Sequence, residues 1–183
     1  MMNVFSKGWF WILDYLYHAS REVQDFLFRI DPDQYLISSA QRPVVLLPGI
    51  YETWQFMRPI ADVMRSRGHP VHVIVGLGRN VGTISEAAKL TADYIETHDL
   101  RDVLLIAHSK GGLIGKYLML FFDANARVSS MIAVCSPFSG SVWGSYLPLR
   151  SIRAFSPQDP IIAMLAADQS VNARITSIFG VFD

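Results

Sequence analysis

One stretch of the sequence decides the fold: Val103-Leu104-Leu105-Ile106-Ala107-His108-Ser109-Lys110-Gly111-Gly112. It begins with an unbroken apolar run rich in branched side chains, which is typical of a buried parallel strand. A helical pattern starts directly after Ser109, and the residues two positions to either side of this serine, Ala107 and Gly111, are small. Small residues are needed where a strand and a helix approach closely. This context places a serine on a sharp turn with its hydroxyl exposed, so we predict that Ser109 is a nucleophile; the alternative is an ordinary serine that caps the helix.

The rest of the chain from residue 43 alternates between strand and helix patterns. Further strands are predicted at 44–47, 71–75, 128–134 and 175–181. A helix capped by Thr53 should carry Phe56, Ile60, Val63 and Met64 on its inner face and end at Gly68. Thr83 and Glu86 have capping-box spacing and should open another helix. The alternation predicts an α/β fold with a mostly parallel sheet and helices on both faces.

Composition narrows the possible functions. The 183 residues suffice for one domain, and 16 basic against 16 acidic side chains leave no electrostatic footprint for nucleic acid. The single cysteine excludes an internal disulfide framework, and no metal or cofactor motif is found. No apolar run reaches the ~20 residues that span a bilayer, and no signal peptide is recognisable. We therefore expect a cytoplasmic protein.

Residues 1–42 differ from the remainder and are predicted to form an N-terminal helical extension. The stretch 8–17 is dense in aromatic residues, and apolar residues then recur at helical spacing up to Ile30. One interpretation is an amphipathic anchor, with residues 8–30 on a membrane surface. Its polar face is not basic, which favours the alternative of a helix that packs on the domain or on a partner chain.

Three segments together resemble the α/β-hydrolase fold family, in its lipase and esterase branch. They begin at Leu46 (Leu-Leu-Pro-Gly-Ile-Tyr), at Ala107 (Ala-His-Ser-Lys-Gly-Gly) and at Cys135 (Cys-Ser-Pro-Phe-Ser-Gly-Ser). The first is similar to the family's oxyanion loop, with Pro48 where lipases commonly have His. The second is similar to the nucleophile elbow, and the third to the turn that leads into the lid. The resemblance covers residues 43–183.

The resemblance implies a site. Ser109 would attack an ester carbonyl, and the backbone N–H groups of Lys110 and of Ile50 or Tyr51 would stabilise the oxyanion. Because only the backbone of Lys110 is needed, its side chain is expected to be solvated. Asp183 stands where the family places the catalytic acid.

The catalytic histidine is missing from this pattern. In this fold it follows the acid, whereas the five histidines, at positions 18, 69, 72, 98 and 108, all precede Ser109. His108 adjoins the nucleophile on the strand, so its side chain points to the opposite face, and we expect a hydrogen-bonded packing residue. Either the protein continues beyond Asp183 to its histidine, with a last strand and helix, or the chain is a non-catalytic binding protein on a hydrolase frame.

Residues 137–174 lack a strand pattern and contain many apolar side chains. The resemblance implies a lid over the site, which would suit a lipid-like ester substrate. The alternative is that these residues complete the core. An acyltransferase or a thioesterase would use the same serine chemistry, so these activities stay open.

Overall fold

A computed structural model of the chain describes residues 30–141 and 155–180. Three predictions fall wholly or partly outside the described residues: the helical extension up to residue 29, residues 142–154 of the lid segment 137–174, and Asp183. Among the described residues, no helix is both long and apolar enough to cross a membrane.

Strands and helices alternate along the described part of the chain, as the pattern predicted. The strands are β1 (Val44–Leu47), β2 (Val71–Val73), β3 (Val103–His108), β4 (Val128–Val134) and β5 (Ile175–Ile178). The α-helices are α1 (Arg58–Ser66), α2 (Ile84–Thr97), α3 (Lys110–Phe121) and α4 (Pro160–Ala167). Short 3-10 turns at Pro32–Tyr35, Trp54–Met57, Val75–Leu77 and Asn172–Arg174 complete the connections.

The five strands form one parallel sheet in the order β2-β1-β3-β4-β5. The chain therefore moves one way from β1 to β2, then crosses back and moves the other way through β3, β4 and β5. Because parallel crossovers are right-handed, this reversal puts α1 on one face of the sheet and α2 and α3 on the other. In open α/β sheets, ligands bind beyond the carboxyl ends of the strands at such a reversal, which here lies between β1 and β3.

Both faces of the central strands are covered. All residues of β1 and β2 are buried, as are the first five residues of β3. The core also takes in Phe155, Ile162 and Leu165, the last two from α4. Within the predicted lid segment, these side chains therefore pack in the core, as the alternative interpretation proposed.

The predicted ends of two elements were wrong. The last strand ends at Ile178 rather than at Val181. The helix that we expected Thr53 to cap begins only at Arg58, and Thr53 precedes a 3-10 turn without a side-chain cap hydrogen bond.

Two further local predictions were also wrong. The second strand ends at Val73 rather than at Val75, because Val75 starts a 3-10 turn and is 64% exposed. In α1 the buried position is Ala61, whereas Val63, which we expected on the inner face, is 48% exposed. The helix is thus rotated on the sheet relative to the predicted face.

The predicted capping box of α2 is present. The Thr83 side chain accepts a hydrogen bond from the Glu86 N–H, and the Glu86 carboxylate accepts one from the Thr83 N–H. Both bonds satisfy donors that a helix start leaves without partners.

Replacing Thr83 with Ala should lower the free energy of unfolding by about 1 kcal/mol, since the N-cap acceptor is lost. Urea unfolding would measure the change. The matched control is Thr97→Ala, on an exposed residue at the other end of the same helix, which should change stability by less than about 0.5 kcal/mol. Equal effects of the two variants would contradict the capping account.

Candidate functional site

Ser109 lies at the junction of β3 and α3 in a strained backbone conformation. Its φ is 50° and its ψ is −115°, a region that non-glycine residues rarely enter. The Ser109 N–H continues the ladder to β4, donating to the Val134 carbonyl at 2.8 Å, and the helix begins at the next residue. The turn is therefore as sharp as the sequence pattern predicted.

Two glycines allow the start of α3 to pack directly on the sheet. A Cβ at Gly111 would lie 2.0 Å from the Leu47 carbonyl oxygen at the end of β1. A Cβ at Gly112 would lie 2.1 Å from Ser136 Oγ, just beyond β4. The start of α3 thus requires glycine at both positions for steric reasons.

The loop after β1 lies beside the turn that carries Ser109, because Leu47 pairs with Ala107 in the register of the two strands. Its Gly49 N–H donates to Glu52 Oε2 at 2.6 Å, and the Pro48 carbonyl accepts from Asn80 Nδ2 at 2.7 Å. The N–H of Ile50, by contrast, has no acceptor in the described part of the chain. The other candidate donor is the N–H of Tyr51, a residue that has a φ of 63° and is 41% exposed.

A buried carboxylate joins this loop to the strand that carries the serine. Glu52 is 5% exposed, and His108 Nδ1 lies 2.9 Å from each of its carboxylate oxygens. The His108 ring also packs on Phe56, with 5.2 Å between the ring centroids. His108 is thus hydrogen-bonded and packed, as predicted.

The expectation of a solvated Lys110 side chain was wrong. Lys110 is 3% exposed, and its Nζ donates to the carbonyl oxygens of Asn80 at 2.7 Å and of Gly82 at 2.5 Å. Burial lowers the pKa of Lys110 to about 8, against a smaller opposing effect of the Glu86 carboxylate. The sequence misled because a lysine at a helix start is usually exposed, whereas here the loop after β2 covers it.

The remaining described histidines have structural partners at the amino ends of the strands or on α2. His69 Nδ1 lies 3.0 Å from the Arg42 carbonyl oxygen, and His98 Nδ1 lies 2.9 Å from that of Tyr94. His72 Nδ1 lies 3.3 Å from the Tyr94 hydroxyl, and burial, aided by His98, lowers the pKa of His72 to about 4. His72 is therefore neutral at pH 7.

The Ser109 hydroxyl has no hydrogen-bond partner within residues 30–141 and 155–180. A general base for it is thus not among the histidines described there. Asp183 and His18 lie outside those ranges. Of the predicted site residues, Ser109 and Lys110 lie at the start of α3, and Ile50 and Tyr51 lie in the loop after β1, the strand that pairs with β3.

Sequence analysis missed two residues of this site, Glu52 and Asn80. Glu52 follows the loop motif without a pattern that would single it out. Asn80 carries a weak signal, because it precedes Val-Gly in a turn and adopts a φ of 51°, which asparagine tolerates better than most residues. In the described ranges, no group of three or more His, Cys, Asp or Glu side chains could hold a metal ion.

Solved structures with a similar fold include hydrolases, all at low sequence identity. The mature form of the lipase BlEst2 from Bacillus licheniformis matches with a TM-score of 0.62 and 13% identity, over 79% of this chain and 69% of that one. The phospholipase PlaB from Legionella pneumophila matches with a TM-score of 0.51 and 16% identity, over 76% of this chain and 37% of that one. An extracellular α/β-hydrolase from a Paenibacillus species is 26% identical, with a TM-score of 0.49 and 63% of this chain covered.

This chain spans half the length of the Paenibacillus protein. Neither a scan of protein-family models nor a sequence search of curated proteins found a match. The parallel sheet with its flanking helices has the α/β-hydrolase fold, and likenesses at this level of identity show the fold alone.

Proposed function

Since the chain has the α/β-hydrolase fold with a serine at the turn between β3 and α3, we propose that the protein cleaves carboxylic esters through an acyl-enzyme on Ser109. The observation that carries the proposal is the backbone of Ser109, with a φ of 50° at the start of a glycine-rich helix. A strained turn of this kind is retained when it exposes a nucleophile. An ordinary N-cap serine has an extended backbone and a side chain that accepts from the helix, and Ser109 has neither.

Backbone N–H groups would stabilise the oxyanion. The Lys110 N–H is at the first position of α3, where it has no acceptor within the helix. The second donor that we propose is the Ile50 N–H, in the loop after β1. The alternative is the Tyr51 N–H in the same loop. The Gly49 N–H is excluded because it already donates to Glu52. Removing one such donor typically slows acyl transfer by about 10²- to 10³-fold.

In the proposed reaction, Ser109 Oγ attacks the carbonyl carbon and its proton passes to a general base. The same base then protonates the leaving alcohol, and water hydrolyses the acyl-enzyme. We propose a histidine oriented by Asp183 as this base, supplied from outside the described residues. Lys110 does not supply it, since its Nζ donates to two carbonyl oxygens of the loop after β2.

We propose that the substrate is an apolar, lipid-like ester. Exposed apolar side chains follow the carboxyl ends of three strands: Tyr51 after β1, Val81 after β2 and Phe179 after β5. BlEst2 is named a lipase and PlaB a phospholipase. We also propose a cytoplasmic location and a lid, limited to those of residues 137–174 whose side chains do not pack in the core. Contact of residues 8–30 with a membrane surface stays the alternative to a helix that packs on the domain or on a partner chain.

A fluorophosphonate probe tests the proposal on the protein from its natural source. The expected result is one covalent adduct, located on Ser109 by mass spectrometry, and cleavage of a short-chain nitrophenyl ester. Both should disappear in Ser109→Ala, while Ser139→Ala, on a serine that no described contact ties to the elbow, should retain them. Absence of any adduct on folded wild-type protein would instead favour a non-catalytic binding protein. Its supporting observation is that no described residue is hydrogen-bonded to the Ser109 hydroxyl as a base would be.

A further inference from the structure

We propose that Lys110 is a positioning residue: acting through Asn80, its side chain sets the orientation of the Pro48–Gly49 peptide and thereby that of the oxyanion donor at Ile50. This inference rests on the proposed ester-hydrolase function. It gives a role to a buried ammonium group that the proposed reaction does not use.

The Pro48–Gly49 peptide group is held at both of its polar atoms. Its carbonyl oxygen accepts from Asn80 Nδ2 at 2.7 Å, and its N–H donates to Glu52 Oε2 at 2.6 Å. A peptide group is planar, so two hydrogen bonds on its opposite sides fix its rotation about the chain. The next peptide begins at the same Gly49 Cα and carries the Ile50 N–H, whose direction therefore depends on this plane.

Asn80 can hold this peptide only if its own backbone is held. It is 2% exposed and has a φ of 51°, a conformation that is less favourable than the extended one for any residue with a side chain. The Lys110 ammonium donates to the carbonyl oxygens of Asn80 and Gly82, so it restrains the loop after β2 on both sides of Val81. The Asn80 N–H donates in turn to the Leu77 carbonyl at 2.8 Å.

The chemistry of lysine fits this role. A protonated amine has three donors and no acceptor, so it can hold two carbonyl oxygens at once. Charged donors form stronger hydrogen bonds than neutral ones, and removing a buried donor leaves its acceptors unsatisfied. The charged group that faces Lys110 is Glu86 of α2, whose carboxylate is engaged in the capping box. Lys110 thus has two proposed roles. Its backbone N–H is one oxyanion donor, and its side chain supports the other donor, the Ile50 N–H in the loop after β1.

The test compares Lys110→Met and Asn80→Gly with the matched control Lys116→Met. Glycine at position 80 tolerates the positive φ and keeps the carbonyl that Lys110 binds, so this variant removes only the donor to Pro48. Lys116 is on the same helix and is also 3% exposed, but its ammonium lies over the Phe138 ring, 5.7 Å from the centroid. Lys116→Met therefore removes the ammonium of a residue with the same exposed fraction, without touching the loop.

Two measurements are made on each variant. The first is the kinetics of Ser109 labelling by the fluorophosphonate, resolved into maximal rate and half-saturating concentration. The second is hydrogen exchange in the peptide that covers residues 47–52, by mass spectrometry. Lys110→Met and Asn80→Gly should each lower the maximal rate about 10- to 100-fold at an unchanged half-saturating concentration, and speed exchange in this peptide. Lys116→Met should change neither.

The outcomes separate this inference from the function on which it rests. If wild-type protein is not labelled but exchange in residues 47–52 speeds up in the two variants alone, the ester-hydrolase proposal fails and the positioning stands. If the variants are merely less stable, with unchanged exchange and labelling below their unfolding transition, the positioning is overturned. Should Lys110→Met fail to fold, unchanged exchange and labelling in Asn80→Gly would still overturn the inference, because Lys110 is proposed to act through the hydrogen bond from Asn80 to Pro48.

Discussion

Gly111→Ala should destabilise the protein by about 3 kcal/mol and abolish labelling of Ser109 by a fluorophosphonate. The added Cβ would lie 2.0 Å from the Leu47 carbonyl oxygen and 2.7 Å from its carbon, both of which are backbone atoms that cannot rotate away. The start of α3 would have to separate from the end of β1, which opens the core and misaligns the two loops of the site. Overpacking of a core typically costs about 1–3 kcal/mol, and this contact is at the severe end.

The control for this prediction is Gly82→Ala. The nearest atom to a Cβ there is Glu86 Oε2 at 3.5 Å, an ordinary contact, and the carbonyl that Lys110 binds is unchanged. Urea unfolding of the two variants beside the wild type gives the comparison. A Gly111→Ala protein within 1 kcal/mol of the wild type would show that helix and strand are not in close contact at the elbow.

The second prediction concerns pH. The pKa of Lys110 is about 8 in the folded protein because burial disfavours the ammonium, whereas an exposed lysine has a pKa of 10.5. Between these values the unfolded chain binds more protons than the folded one, so the free energy of unfolding rises with pH. From pH 7 to 9.5 the rise due to Lys110 should be about 2 kcal/mol.

Urea unfolding at several pH values measures this rise as the difference between the wild type and Lys110→Met, which should lack it. The window ends at pH 9.5 because burial raises the pKa of Tyr35 and of Tyr94, whose titration acts in the opposite direction above about pH 10. Lys89→Met, on an exposed lysine of α2, should retain the rise. A wild-type profile that is flat from pH 7 to 9.5 relative to Lys110→Met would contradict the burial of the ammonium.

The sheet and the close approach of α3 to the strands could be predicted because their signals are local. A buried parallel strand has to be apolar on both faces, so the runs that become β1 and β3 stand out without knowledge of their neighbours. The capping box at Thr83 and Glu86 is equally local, and the structure confirms it. Two small residues around Ser109 suffice to indicate a close approach of strand and helix.

The contacts of the site could not be predicted in the same way, because each joins residues far apart in the chain. Lys110 meets carbonyl groups about thirty positions earlier, and His108 meets a carboxylate 56 positions earlier. Nothing in the sequence around Lys110 distinguishes a buried ammonium from a solvated one. Helix α4 was missed for a different reason: its start at Asp159-Pro160 is a recognisable cap, but the prolines in residues 137–174 hid the short apolar pattern that follows.

The double restraint of the Pro48–Gly49 peptide has a consequence for protein engineering and for sequence comparison. Residues 107–112 are not a self-sufficient unit, because the side chain of Lys110 acts on the loop after β1, a different strand from the one that carries Ser109. Transfer of residues 107–112 into another scaffold would carry the serine without the support of the opposite loop. For the same reason, substitutions at positions 110 and 80 should occur together among related sequences, while position 116 varies independently of both.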